Sequence, residues 1–158
     1  MIESLTHRKA TIEDLRPIID LLQEDDLGRA RESNQPAFDQ RYKDAFYKIT
    51  SDLNQYLMVV ENLEEIVGTC HLTIMPSLTF IGQTRMQIEA VRVIQKYRGQ
   101  KIGEWMIQAA MKYGQSKGAS IIQLTTSKQR TSAKRFYEKL GFAVTHEGMK
   151  LHLDQNPE

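Results

Sequence analysis

Tyr97-Arg98-Gly99-Gln100-Lys101-Ile102-Gly103 follows a strand-like run and opens the strongest helical pattern in the chain. Before it, Arg85 to Ile94 alternates, which predicts a strand with Gln87, Glu89, Val91 and Val93 on one face and Ile88, Ala90 and Arg92 on the other. After it, Ile102, Trp105, Met106, Ala109, Ala110 and Tyr113 fall on one helical stripe that ends near Gly114 to Gly118. Ile121 to Thr126 then reads as a second strand. Strand, helix and strand in that order predict a parallel, right-handed βαβ unit from Arg85 to Thr126. The junction brings helix N–H groups, the positive end of a helix dipole, two glycines and the cations Arg98 and Lys101 together, which suits a pyrophosphate. On the loop alone, a plain basic turn is an equal reading.

Working outward, Thr6 to Lys9 predicts a strand, and Thr11 an N-cap with Glu13 and Asp14 in the first turn of a helix through Ile18, Leu21 and Leu22 that stops before Gly28. Asp25 to Pro36 reads as a loop and Ala37 to Ile49 as a second helix, with Phe38, Tyr42, Ala45, Phe46 and Ile49 at helical spacing. Tyr56 to Glu61 and Ile66 to Met75 form a hairpin around Asn62 to Glu65, ended by Pro76. Thr131 to Leu140 is a short helix closed by Gly141, and Phe142 to Leu153 reads as two strands around Glu147-Gly148. The order β-α-α-β-β-β-α-β-α-β-β predicts an α/β sheet covered by helices.

At 158 residues, with no internal repeat or linker, the chain is expected to form one domain over 1–158. Hydrophobic residues at 41% and charged residues at 26% exclude a disordered or fibrous chain. Lys+Arg 21 against Asp+Glu 20 gives +1, no global field for nucleic acid, so a nucleic-acid partner is not expected. The single Cys70 allows no internal disulfide, and His7, His71, His146 and His152 lack a ligand spacing, so no metal is expected. No apolar signal core and no run near the ~18 residues of a membrane span is present, and a cytoplasmic location is the expectation.

Neither G-x-G-x-x-G nor G-x-x-x-x-G-K-[ST] occurs, which argues against dinucleotide dehydrogenases and P-loop ATPases. The chain instead resembles the GNAT superfamily of N-acetyltransferases. Arg98 to Gly103 is similar to its coenzyme A pyrophosphate loop, [Q/R]-x-x-G-x-[G/A], with Lys101 standing where the family usually has glycine. Thr131 to Phe142 resembles its closing block, A-x-x-F-Y-E-x-x-G-F, with Arg130 in place of a frequent asparagine. Lys9 to Leu15 and Glu65 to Thr69 are also similar to family segments. The resemblance implies a mixed, mainly antiparallel sheet, with a central parallel pair splayed at the acyl-CoA site and about four flanking helices.

It also implies acetyl-CoA as co-substrate, bound along the backbone of Val91, Arg92 and Val93, over Arg98, Gly99, Gln100, Lys101, Ile102 and Gly103, and beside Arg130 and Ser132. Direct transfer to an amine is the implied reaction. A lysine-like amine, with pKa about 10.4, is mostly protonated at neutral pH, so a base is wanted. Glu89 is the candidate, because a carboxylate in an otherwise apolar strand is costly unless paired or used; a buried ion pair, with Arg29 for example, is the structural alternative. Tyr137 is the candidate acid for the leaving thiolate, with packing against the pantetheine as its alternative, and Phe136 is assigned to the core.

Gln87 is a candidate substrate hydrogen-bonder, and Asp25 and Asp26 candidates to attract a cationic amine, or else a solvated helix end. Cys70 reads as a buried strand residue, since adjacent His71 would point to the opposite face. Met75, Leu78, Phe80 and Ile81 form an apolar hairpin tip, readable as a homodimer contact or as core cover. The acceptor is expected to be the primary amine of a small molecule or peptide. A regulatory module that binds acyl-CoA without turnover, such as an acetyltransferase-fold transcriptional regulator, is the alternative.

Overall fold

The protein is described by a computed structural model for residues 4–32 and 39–153; the part of the expected second helix at Ala37 and Phe38, and Pro36 before it, lie outside the described residues. Strand β1 (Leu5–Lys9) leads into a single 3-10 turn (Ile12–Asp14), where Asp14 accepts from the Thr11 N–H at 2.7 Å. The same carboxylate holds Arg8 at 2.6 Å, and Arg8 also reaches Glu61 at 2.8 Å, tying the turn to two strands. Helix α1 (Leu15–Leu22) follows.

The loop expected from Asp25 onward is in fact a second short helix, α2 (Asp26–Arg31), with Gly28 inside it. Asp25 caps it by accepting from the Gly28 N–H at 2.6 Å. A Cβ on Gly28 would lie 1.8 Å from the Leu22 carbonyl oxygen, so the glycine lets α2 pack on the end of α1; it does not terminate a helix. Helix α3 (Gln40–Ser51) leads to the hairpin β2 (Gln55–Asn62) and β3 (Glu65–Met75), closed over Leu63 and Glu64. A helical turn α4 (Thr79–Gly82) joins β3 to β4 (Thr84–Val93), and α5 (Ile102–Ser116), β5 (Ala119–Leu124) and α6 (Thr131–Lys139) complete the elements.

Among the described residues the five strands order as β1-β2-β3-β4-β5, antiparallel except for the parallel β4–β5 pair, so the fold is the mixed sheet expected, with six helices where about four were expected. On one face Met58, Leu72, Met86 and Ile88 pack against Ile102, Met106 and Ile107 of α5. On the other, Leu57 and Val59 pack against Ile18 of α1 and Phe46 of α3. Cys70 is fully buried in the first layer, as expected.

One expectation fails, and one of two alternatives drops out. Residues 142–153 form no strand: the two predicted tail strands find no sheet partner among the described residues, and Met149, Leu151 and Leu153 stand 95%, 85% and 88% exposed. At the β3–β4 connection, Leu78, Phe80 and Ile81 are 97%, 65% and 104% exposed, so the apolar tip covers no core. Phe80 and Ile81 sit at φ 52° and 59°, and these left-handed residues turn the chain so tightly that their side chains are carried away from the sheet.

Candidate active site

The site is built around an irregularity in β4. Thr69 faces Arg92 and His71 faces Glu89, so one residue of β3, Cys70, opposes two of β4, Ala90 and Val91, a bulge with Ala90 at φ 51°. The extra residue reverses the expected alternation. Val91 and Val93 pack with the core layer of α5, while Glu89 and Arg92 turn to the α1–α3 side of the sheet with Gln87. Glu89 therefore does not share a face with Val91 and Val93. It is exposed, and its register partner is a histidine. The reason for suspecting it, the cost of a carboxylate in an apolar strand, does not hold, because that face of β3 and β4 carries Thr73, His71, Gln87 and Glu89.

His71 is the residue that sequence reasoning passed over. Half-buried, it contacts Gln55 Oε1 through Nε2 at 2.7 Å. Burial holds its imidazole below the ordinary histidine range, with Glu89 opposing that shift, so the ring is neutral and able to accept a proton near neutral pH. No spacing pairs His71 with Glu89; only the antiparallel register does. Next to them, Gln87 Oε1 accepts from Gln123 Nε2 at 2.7 Å across the parallel pair.

Parallel pairing stops at Ile88–Leu124, while β4 runs on to Val93. Tyr137 of α6 is half-buried here, between the rings of Phe136 at 5.1 Å and Phe142 at 5.8 Å. Burial raises its phenol above the usual range, so it is a proton donor and not a phenolate at neutral pH; Arg92 and Arg130 oppose that shift. Phe136 packs into the core layer, as expected. Cys70, its thiol pushed up to about 12 by burial, is no nucleophile.

The basic loop has the expected shape with different side-chain commitments. Gly99 at φ 80° has open space where a Cβ would stand, and Lys101 adopts φ 65° as the N-cap of α5, a conformation that explains why glycine is usual there. Gln100 and Lys101 are exposed beside the helix N-terminus that Ile102 begins. Arg98 is already engaged: Nε donates to the Val93 carbonyl at 3.1 Å and NH2 to Glu24 at 3.1 Å. Gly103 serves packing, for a Cβ there would meet the Phe136 ring at 3.3 Å.

Asp25 and Asp26 do not stand free to draw a cation. Asp25 binds the Gly28 N–H and Arg130, the latter at 2.8 Å, and Asp26 pairs with Arg29. Arg92 donates to the Val91 carbonyl at 2.9 Å, while its buried Nε has no hydrogen-bond partner among the described residues. Burial and neighbouring Arg130 lower its pKa. Ser132 is exposed in the first turn of α6. Among the described residues no group of His, Cys, Asp or Glu has a metal-holding arrangement.

A family model described as the acetyltransferase (GNAT) family matches residues 17–142. A solved structure described as a transcriptional regulator from Bacillus halodurans C-125 is 43% identical and superposes with a TM-score of 0.91, covering 95% of this chain and 100% of that one. Glucosamine 6-phosphate N-acetyltransferase of Trypanosoma brucei brucei is 36% identical over 88 residues, 56% of this chain and 58% of that protein. Aminoalkylphosphonate N-acetyltransferase of Salmonella typhimurium is 29% identical over 110 residues, 68% of this chain and 69% of that protein. The match thus spans less than two thirds of the trypanosomal relative.

Proposed function

The chain belongs to the acetyltransferase (GNAT) family, and from that premise we propose that it transfers acetyl from acetyl-CoA directly to the primary amine of a small molecule. The observation that carries the reading is the pairing of a neutral histidine with a carboxylate on the open polar face of β3 and β4, beside the point where β4 and β5 part. The residues present fit the donor. Gly99, Gln100, Lys101 and the N–H groups that open α5, from Ile102 on, would hold its pyrophosphate, and the backbone of Val91 to Val93 its pantetheine arm, with Arg130 and Ser132 alongside. Bound there, acetyl-CoA supplies an activated thioester.

His71 takes the proton of the incoming ammonium while Nε2 is steadied by Gln55, and Glu89 stabilises the imidazolium that forms. Tyr137 protonates the leaving thiolate. The buried Cys70 takes no part.

The two enzymes named above act on amines that also carry a phosphate or phosphonate. The unpartnered Nε of Arg92, close to Arg130, supports the same acceptor class here, since a buried guanidinium without a full set of partners favours an oxyanion. A panel of small amines with and without phosphate, assayed with acetyl-CoA and a thiol reagent, tests this. Turnover of phosphorylated amines with a KM that rises selectively in Arg92→Gln supports the reading. Tight acetyl-CoA binding with no turnover of any amine would make the chain the regulatory module, a reading favoured by its similarity to the structure described as a transcriptional regulator.

A further inference from the structure

On the open polar face of the sheet Arg85, Gln87 and Glu89 of β4 follow one another at every second residue, and Gln123 of β5 stands opposite Gln87 in the parallel register. Arg85, Gln123 and Gln87 form one chain of hydrogen bonds. Arg85 Nη1 donates to Gln123 Oε1 at 3.4 Å, and Gln123 Nε2 donates to Gln87 Oε1 at 2.7 Å. Arg85 forms no ion pair among the described residues, and its buried Nε has no hydrogen-bond partner there, so its charge is not cancelled locally.

The direction of that chain follows from chemistry. A guanidinium has donors and no acceptor, so the Gln123 atom turned toward Arg85 must be the carbonyl oxygen. Gln123 then turns its NH2 group toward Gln87, whose near atom must in turn be its own oxygen. What remains at the end of the chain is the NH2 group of Gln87, which has no partner among the described residues and lies on the face of Glu89 and His71. A glutamine free to turn over offers either a donor or an acceptor; this one offers donors only, and the cation behind it strengthens them.

We propose that Gln87 Nε2 selects acceptors carrying a hydrogen-bond-accepting oxygen next to the reacting amine and rejects a second ammonium there, with Arg85 and Gln123 as positioning residues that fix its polarity. The inference rests on the acetyl transfer proposed above and adds a second recognition point to it. Along β4, Glu89 lies between Gln87 and Arg92, so the amine would sit at the centre, with the phosphate oxyanion on one side and the accepting oxygen on the other.

Primary amines of similar length serve as probes: glycine dimethylamide adds a carbonyl oxygen, diaminopropane adds an ammonium and butylamine adds neither. Their affinities for the full chain with coenzyme A are read by calorimetry, the Gln87 side-chain amide by NMR, and rates by thiol release. Wild type should bind the carbonyl probe about tenfold or more tightly than the diamine, with the Gln87 NH2 resonance moving as the probe is added. Gln123→Glu, nearly isosteric, accepts from Arg85 and from Gln87 at once. Gln87 must then turn its oxygen outward, and the preference should invert. Arg85→Lys, still a pure donor, should keep the wild-type preference, whereas Arg85→Met frees both amides to turn and should bring it near unity. In a Gln87→Leu background neither Gln123→Glu nor Arg85→Met should change the ratio, and far-UV spectra check that each variant folds. A ratio that still responds in that background reports through-space charge and overturns the proposal. Equal binding of the probes by wild type, an unmoved Gln87 resonance or no binding of any probe also overturns it. Carbonyl-selective binding with no turnover of any amine would instead refute the acetyl transfer and leave the polarity of Gln87 standing.

Discussion

Replacing His71 by glutamine separates proton transfer from architecture. Glutamine keeps an amide that can donate to Gln55 Oε1, now 2.7 Å from the imidazole, and fills most of the same half-buried volume beside Leu57 and Glu89. The stability change should therefore stay within about 1 kcal/mol. The base is gone, however, and general-base catalysis contributes about 10²- to 10⁴-fold, or about 2.7–5.4 kcal/mol of barrier. We expect kcat/KM to fall within that range at neutral pH, with acetyl-CoA affinity unchanged. The pH profile adds a sign. Burial lowers the imidazole pKa from 6.5, so the wild-type rate should rise with pH through a midpoint below that value and lose activity only as the ring protonates on the acid side. In the glutamine variant that acid limb should vanish, and raising the pH toward the pKa of the amine should restore part of the rate. Initial rates by thiol release across the pH range, together with thermal unfolding, make the measurement. A folded variant that keeps both the wild-type rate and its acid limb would refute the role of His71 and return the proton to Glu89 or to water.

Tyr137→Phe should lower kcat by about 10²-fold with little change in acetyl-CoA affinity by calorimetry, as expected of a group that acts on the leaving thiolate. Cys70→Ala should retain wild-type rates, and native protein incubated with labelled acetyl-CoA should carry no acetyl group on Cys70 after acid quench, because a thiol pushed up to about 12 supplies almost no thiolate. Gly28→Ala should lower stability by about 1–3 kcal/mol, since its Cβ meets the Leu22 carbonyl oxygen at 1.8 Å and α2 must shift; denaturant midpoints and the acceptor KM measure that shift.

The sequence alone determined the order of elements around the core, because hydrophobic period and turn chemistry are local properties. Ile102 to Gly114 carries its buried stripe in its own spacing, and the left-handed turns at Gly99, Lys101 and Gly141 mark helix boundaries within a few residues of chain. Tyr137 was singled out differently, by the resemblance that the block from Thr131 to Phe142 carries and not by any local period. What period-two reasoning missed, it missed at one residue: the bulge at Ala90 inverts every facing after it, bringing Arg92 onto the face of Gln87 and Glu89 and sending Val91 and Val93 to the other. A bulge is a property of two paired strands, so no single strand announces it. The same holds at the far end, where Met149 to Leu153 has the alternation of a strand, but strand structure needs a partner edge, which a local pattern does not supply. Likewise Asp25 and Arg130, 105 positions apart in the chain, become an ion pair at 2.8 Å only when the fold brings the start of α6 to the start of α2, and no charge count along the sequence encodes that meeting.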